Sequence, residues 1–549
     1  MLKPHGTAQR GRSSVAEASD KRVYLFDSTL RDGAQTQGVD FTVSDKVALA
    51  AALDALGIDY VEGGWPGANP TDDAFFADPP ALARARLVAF GMTRRPGRSL
   101  GNDPGLAAVM AAKAEVACLV GKAWDFHVDV ALGIPRGENL QLISESIAHA
   151  AARKAEVHFD AEHFFDGFKA NAPYAMDCLK AALEAGARWL VLCDTNGGTL
   201  PHEVERIVGK VAETIPGTRL GIHCHNDTEN AVANSLAAIR AGVRQVQGTL
   251  NGLGERCGNA NLCALIPSLR LKTDFEIGVS DAQLAQLTRV SRLLDERLNR
   301  APARNQAYVG DSAFAHKGGL HVSAVEKDPR TYEHIEPGLV GNRRHIVVSD
   351  QAGRANMLAR FRELGIELSP DDPKVLTLLE RVKAREFEGY AYDGAEASFE
   401  LLARRALGEV PEYFQLTRFR VMDDRRWNAR GELVTESEAT VTVEVGGQHV
   451  MTVATGNGPV NALDLALRKA LLPRYPGLEG LHLVDYKVRI LTPEAGTEAV
   501  TRVMIESAHG RQRWTTVGVS PNIIDASFSA LSDSLTWKLY RDGAKPAGA

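Results

Sequence analysis

The chain has 549 residues, enough for two to four domains at roughly 100–200 residues each, or for one large barrel with additions. Apolar residues make up 44% and charged residues 24%, as in ordinary globular proteins. The formal charge of −6 gives no reason to expect nucleic acid or an anionic membrane as partner, and no apolar run is long enough for a transmembrane helix.

Met1 to about Asp20 is polar and rich in Gly, Ser, Ala and Arg, with no hydrophobic segment. It is therefore not a secretory signal; a disordered lead-in over residues 1–20 is expected, with a transit peptide as the alternative. From Val23, short apolar runs alternate with segments of helical period. Eight strands are expected at Val23–Asp27, Tyr60–Gly63, Leu87–Gly91, Val116–Val120, Val157–Phe159, Trp189–Cys193, Leu220–His223 and Gln245–Thr249. Helices are expected between them at Ser44–Leu56, Asn139–Ala152, Tyr174–Glu184 and Glu229–Ala241, the first capped by Ser44. Gly57, Gly186 and Gly242 follow helices and suit left-handed C-caps. Eight strand–helix units over about 250 residues predict a (β/α)8 TIM barrel. An open doubly wound sheet is the competitor, but no Gly-x-Gly-x-x-Gly follows an early strand.

A barrel carries its functional residues where strands end. Polar, glycine-flanked residues stand at six of the eight exits. They are Asp27-Ser28-Thr29-Leu30-Arg31-Asp32-Gly33, Glu62-Gly63-Gly64-Trp65-Pro66, Asp160-Ala161-Glu162-His163, Asp194-Thr195-Asn196-Gly197-Gly198, His223-Cys224-His225-Asn226-Asp227 and Asn251-Gly252-Leu253-Gly254-Glu255-Arg256-Cys257-Gly258-Asn259. Any one could be a plain turn; six on one face are hard to explain that way.

After about Leu271 the pattern changes. Ser280–Leu298 reads as one long amphipathic helix. The segment to about Ala395, with Ala315-His316-Lys317-Gly318-Gly319-Leu320-His321 and Tyr332, reads as loops and short helices too polar for a core of their own. Beyond Tyr413, strands at Phe414–Val421, Ala439–Val445 and His449–Thr455 precede a helix at Pro459–Leu472. The order repeats with Leu481–Leu491, Ala499–Ser507, Arg513–Gly518 and the helix Ile523–Tyr540, so a duplicated βββα unit is expected. Gly456-Asn457-Gly458-Pro459 aligns with Gly518-Val519-Ser520-Pro521 as the strand-to-helix turn. The expected organisation is a barrel over 21–285, a helical linker subdomain over 286–395 and a C-terminal α+β domain, regulatory or dimerising, over 396–545.

Residues i and i+2 of a strand point to the same side, so His223 and His225 project together and Cys224 points away. A metal half-site and an inert hydrogen-bonded pair are both open on that stretch alone. In a closed barrel strand 8 lies between 7 and 1, which makes Asp32, the histidine pair and Asn259 neighbours. This mixed N/O set suits Mg²⁺, Mn²⁺ or a catalytic Zn²⁺, and lacks the thiolates of a structural zinc site. Arg31 could bind a carboxylate or stabilise a developing alkoxide, or serve as an ion pair in the barrel mouth. The six cysteines include no Cys-x-x-Cys pair, and most lie in apolar runs, which fits a reducing, cytoplasmic setting.

The strand 1, strand 7 and strand 8 exit motifs, in this order, resemble the signatures of the 2-isopropylmalate, homocitrate and citramalate synthase family. The resemblance covers nearly the whole chain, the C-terminal duplication looking like that family's regulatory domain. Within the family, Asp27 to Gln35, Glu62 to Gly67 and Asp160 to Gly167 look most like the citramalate synthase branch. Ala34 stands where much of the family has Glu, which weakens a transfer of isopropylmalate specificity.

The resemblance implies condensation of acetyl-CoA with pyruvate and water to give (R)-citramalate and CoA, on the pyruvate route to isoleucine. It implies a divalent metal held by Asp32, His223, His225 and Asn259. Arg31 would polarise the ketone, Thr195 would bind the pyruvate carboxylate, and Glu162 would position acetyl-CoA or take part in proton removal. His321, with Tyr332 nearby, would do acid–base work, supplied by a partner subunit of a homodimer; read from the residues alone, His321 could also be a satisfied loop histidine and Glu162 a structural ion pair. Isoleucine is the implied allosteric inhibitor. Trp65 has two readings, a residue that narrows the pocket toward a methyl group or a core aromatic at a strand end. The alternatives are a 2-isopropylmalate synthase taking 2-oxoisovalerate, a lyase of the hydroxymethylglutaryl-CoA type, and an amino-acid sensor with a dead barrel. The duplicated domain argues against the lyase, and the intact Arg31, Asp32, His223 and His225 against the sensor.

Overall fold

Strands β1 (Tyr24–Asp27), β2 (Tyr60–Gly64), β3 (Arg86–Met92), β4 (Val116–Lys122), β5 (Glu156–Glu162), β6 (Trp189–Asp194), β7 (Leu220–Cys224) and β8 (Gln245–Gly248) pair in parallel and close into a barrel in chain order. All eight fall where the hydrophobic runs put them. Closure is made by β1 on β8, with Tyr24 opposite Gln245 and Asp27 opposite Gly248. The computed structural model describes residues 21–317, 319–346, 354–369, 372–510 and 512–548. The expected disordered lead-in lies outside the described residues.

The period of two along each strand sorts side chains between two cores. Val23, Leu25, Val61, Ala89, Leu119, Phe159, Leu192, Ile222, Cys224 and Val246 join the large core between strands and helices. Phe26, Tyr60, Val88, Phe90, Cys118, Trp189, Val191 and Cys193 form a separate cluster inside the barrel. Alternation therefore turns Glu62, Asp160, Glu162, His223, His225 and Gln247 inward as well. Cys224 packs outward, as its strand position requires.

The first barrel helix, Val43–Leu56, is capped by Thr42 rather than Ser44. Thr42 Oγ1 accepts from the Asp45 N–H at 3.2 Å, and an Asp45 carboxylate oxygen accepts from the Thr42 N–H at 3.0 Å. That reciprocal pair satisfies two orphan donors, which Ser44, already inside the first turn, cannot do. Gly57, at φ 95°, closes the helix in the left-handed region. Near its end, Asp54 accepts three backbone N–H groups, from Ala83, Arg84 and Ala85, at 2.6–2.9 Å. Burial works against the Asp54 charge, but these donors outweigh it and hold the carboxyl below its ordinary range. With the folded pKa below the unfolded one, the stabilisation is present above the usual carboxylate range and lost as pH falls through the folded value. Asp54→Ala is expected to cost about 1–2 kcal/mol at pH 7, and the gap to the parent should shrink in strong acid; denaturant melts at pH 7 and below pH 3 measure both.

The helix expected at Tyr174–Glu184 continues an N-terminal stretch from Phe164, but Asn171 breaks it at φ −149° and ψ 75°. Pro173 has no N–H to give the preceding turn, so a new helix starts there. The expected single helix over Ser280–Leu298 is two, Asp281–Leu284 and Leu287–Arg297. Gln286 N–H turns back to the Gln283 carbonyl at 2.9 Å, a tightened turn that an uninterrupted α-helix does not contain.

The chain forms two compact units, one through Phe314 with Ile335–Arg343, the other Ala315–His334 with Arg344 onward. In the second, the segment expected to lack a core has one. Met357, Phe361, Ile366, Leu378, Val382, Tyr392, Phe399 and Ala403 pack together with Val517. The apolar stripes are diluted by charge on the outer helical faces, which made the segment read as polar. The C-terminal part contains two antiparallel three-stranded sheets. Strands Gln415–Trp427, Leu433–Val445 and Gln448–Gly456 lead to the helix Pro459–Leu471. Strands His482–Ile490, Thr501–His509 and Gln512–Ser520 lead to the helix Ile523–Arg541. Both halves tie the third strand to its helix alike. Thr452 Oγ1 donates to the Ala466 carbonyl at 2.7 Å and Thr516 Oγ1 to that of Ala530 at 2.8 Å, fourteen residues on in each case. The halves thus correspond two residues away from the turn alignment expected from sequence. Gly458 and Asn522 are the equivalent caps, and Pro521 precedes its helix.

Candidate active site

The β1 exit is shaped by Asp27. Its carboxylate accepts the Thr29 N–H at 2.9 Å and the Thr29 hydroxyl at 2.8 Å, and Thr29 Oγ1 accepts the Leu250 N–H at 2.8 Å. The turn carrying Arg31 and Asp32 is thereby clamped to the β8 exit. Burial pushes the Asp27 carboxyl up to about 7 against those hydrogen bonds, with Glu62 adding to the rise. Lys46 ties β1 to β2: it donates to the carbonyls of Leu30 at 2.8 Å and Gly63 at 3.0 Å and pairs with Asp72.

Asp32, His223 and His225 are buried, and each offers a ligand atom within 4.8 Å of the others. His223 Nε2 lies 3.4 Å and His225 Nε2 3.9 Å from Asp32 Oδ2. Asn259 is bridged to His225 through the backbone. Asp32 Oδ1, His225 Nδ1 and Asn259 Oδ1 are buried without a hydrogen-bond partner among the described residues. Buried polar atoms left without partners are costly, and a cation held by this donor set would offset part of that cost. The donor set therefore fits a metal ion. Burial opposes the Asp32 charge, but Arg31 and His223 outweigh it and hold the carboxyl far below its ordinary range. Burial, with His223 beside it, pushes His225 down to about 3, so its imidazole is neutral. An ionised carboxylate and a neutral imidazole are the forms that bind metals.

Arg31 is fixed from three sides. Its Nε donates to Glu62 Oε2 at 2.7 Å, its Nη1 lies 3.5 Å from Asp32, and its guanidinium sits 3.9 Å over the Phe90 ring. Ser28 donates to the same Glu62 oxygen. Trp65 meets Phe90 edge-to-face at 5.2 Å, so it is both a packed aromatic and one ring away from Arg31. At the β8 exit the glycines have a steric reason. A Cβ on Gly254, at φ 153°, would lie 2.1 Å from the Asn259 side-chain nitrogen. Only glycine lets that amide approach.

The other expected residues fall in two places. Thr195, at the β6 exit, accepts the His163 N–H at 2.8 Å, which leaves its own hydroxyl proton free for an acceptor in the barrel mouth. Glu162, at the end of β5, forms an ion pair at 2.5 Å with Lys122 at the end of β4. His321 and Tyr332 belong to the second unit, where their rings stack at 4.1 Å. The site also uses residues that were named only as strand-end polar groups, Glu62 and Asp160, and one not singled out at all, Gln247. The signal for Gln247 was the pair Gln245 and Gln247, two amides on one face of a buried strand.

A closed parallel barrel with a buried carboxylate–imidazole cluster and an arginine at the carboxyl ends of its strands defines a TIM-barrel enzyme with a candidate metal site. Comparison with known proteins gives the HMGL-like family over residues 22–294, the homocitrate synthase post-HMGL domain-like family over 308–387 and the LeuA allosteric (dimerisation) domain over 393–539. The (R)-citramalate synthase of Geobacter sulfurreducens is 52% identical over 94% of this chain and 98% of its own. That of Aquifex aeolicus is 50% identical over 95% and 98%. A probable 2-isopropylmalate synthase of Methanopyrus kandleri is more distant, at 33% identity over 93% and 97%. The chain belongs to the (R)-citramalate synthase family and is an acyltransferase of the acyl-condensing type.

Proposed function

We propose that the chain makes (R)-citramalate and CoA from acetyl-CoA, pyruvate and water. The observation that carries this reading is the Asp32–His223–His225 cluster with Arg31 beside it, in a chain about half identical to curated citramalate synthases along nearly all its length. Asp32, His223, His225 and Asn259 would hold a divalent ion, Mg²⁺ or Mn²⁺ by their nitrogen and oxygen donors, with Zn²⁺ as the alternative. When bound, that ion supplies Lewis acidity to the pyruvate ketone. Arg31 donates to the ketone oxygen and stabilises the alkoxide that forms there. The Thr195 hydroxyl donates to the pyruvate carboxylate. The thioester methyl loses a proton to a base, and its carbon forms the new bond to the ketone carbon. Glu162 orients the acetyl group or takes part in that proton transfer, with Lys122 holding its carboxylate. His321, next to Tyr332, moves a proton to the alkoxide and comes from a partner subunit. Water then cleaves the thioester C–S bond, releasing CoA.

The division of labour follows the chain: catalysis over 21–285, a linker over 286–395, and regulation and dimerisation over 396–545. The dimer is a homodimer, isoleucine is its inhibitor, and the enzyme works in the cytoplasm; no helix among the described residues is long and apolar enough to cross a membrane. Activity with and without isoleucine and leucine tests the effector, and no response to either removes it.

Substrate choice is tested by CoA release from acetyl-CoA with pyruvate, 2-oxobutyrate and 2-oxoisovalerate, with product identification. Pyruvate is expected to have a kcat/KM at least about 100-fold above 2-oxoisovalerate, since two extra methyl groups must be excluded near Trp65 and Phe90. A preference for 2-oxoisovalerate would replace this reading by isopropylmalate synthesis.

A further inference from the structure

Inside the barrel, below the Asp32–His223–His225 cluster, Gln247 of β8 stands between His223 of β7 and Asp160 of β5. Gln247 Oε1 lies 2.9 Å from His223 Nδ1, and Gln247 Nε2 lies 3.2 Å from Asp160 Oδ1. All three side chains are buried, Gln247 completely. The amide orientation follows from chemistry. A carboxylate only accepts, so the Gln247 NH₂ must face Asp160 and its carbonyl must face His223. A carbonyl also only accepts, so His223 must carry its proton on Nδ1. Nε2, the nitrogen 3.4 Å from Asp32, is then the one left to offer a lone pair to a cation. Gln247 also fixes the ring plane, because the Nδ1–H must point at one buried oxygen.

We propose that Gln247, oriented by Asp160, is a positioning residue that sets the tautomer and aim of His223 for a divalent cation bound by Asp32, His223 and His225. The assignment rests on the metal reading of that cluster. Neither Gln247 nor Asp160 touches substrate in this role. An imidazole ligand whose second nitrogen donates to a fixed acceptor binds metals more tightly than a free-spinning one, and removing the acceptor typically costs 10–100-fold in affinity. The neighbouring amide Gln245 has different work: its Nε2 lies 3.4 Å from His158 Nδ1, in a layer with Glu156 and Tyr60.

The test is Mn²⁺ binding by titration calorimetry to the metal-stripped full-length protein, with thermal melting of the metal-free form as a folding control. Gln247→Met should weaken Mn²⁺ about 10–100-fold in protein that still melts cooperatively without metal. Gln247→Glu still accepts from His223 but sets two carboxylates against each other, and should also bind weakly. The exchange Asp160→Asn with Gln247→Glu restores one donor and one acceptor in reversed order, and should recover most of the affinity. Wild-type affinity in Gln247→Met overturns the assignment, as does a folded double variant that recovers nothing. His225→Ala is the control: parent protein that binds no Mn²⁺, or binds it as well without His225, overturns the metal reading itself.

Discussion

Arg31→Ala is expected to lower kcat for citramalate formation by about 10²–10³-fold, the usual loss when one preorganised donor to a developing oxyanion is removed. The side chain is fixed in place rather than left to search. Glu62 fixes Nε at 2.7 Å, Asp32 lies 3.5 Å from Nη1, and the Phe90 face supports the guanidinium plane. The obvious variant has a second effect. Glu62 is fully buried, and without Arg31 its charge is uncompensated, which costs about 3–5 kcal/mol when a buried pair is broken on one side. Adding Glu62→Gln should return most of the lost melting temperature but none of the turnover. Arg31→Lys keeps the charge but not the planar fork, and should still lose at least about tenfold in kcat. Turnover recovered in the Arg31→Ala, Glu62→Gln double variant would show that Arg31 only neutralises Glu62.

Loss of the metal is the other large effect. His225→Ala should reduce bound divalent ion to a small fraction of one per chain and abolish measurable turnover, while a chelator should do the same to the parent protein reversibly. The reason lies in the orphaned atoms. Asp32 Oδ1, His225 Nδ1 and Asn259 Oδ1 have no donor or acceptor among the described residues, in a site where each unpaired group costs about 1–3 kcal/mol. The ion should therefore stabilise the barrel as well as serve the reaction, raising the melting temperature on readdition. Elemental analysis and thermal melts read both effects independently of turnover. Unchanged metal content and activity in His225→Ala would sink the assignment.

These outcomes also separate what could be read along the chain from what could not. Strand and helix periods carry their information locally, so the eight strands, the glycine C-caps and the repeated C-terminal unit were legible. The barrel's own rule that exits carry chemistry then brought Arg31, Asp32, His223, His225 and Asn259 together. Local patterns failed where a neighbour in space decided. Thr42 takes the cap because Asp45 answers it. The 354–407 helices bury apolar stripes that the charge on their outer faces masks along the chain, and Val517 joins them from a distant strand. The two C-terminal halves align through Thr452 and Thr516, not through their similar turns.

The sequence by itself determined the candidate donors and the face on which they lie, because those depend on residue type and a period of two. Only the tertiary structure decided how the donors are held. Glu62 as partner of Arg31, Lys122 as partner of Glu162 and Gln247 as the acceptor behind His223 come from different strands, and pairing across a closed barrel depends on register, which no local pattern specifies.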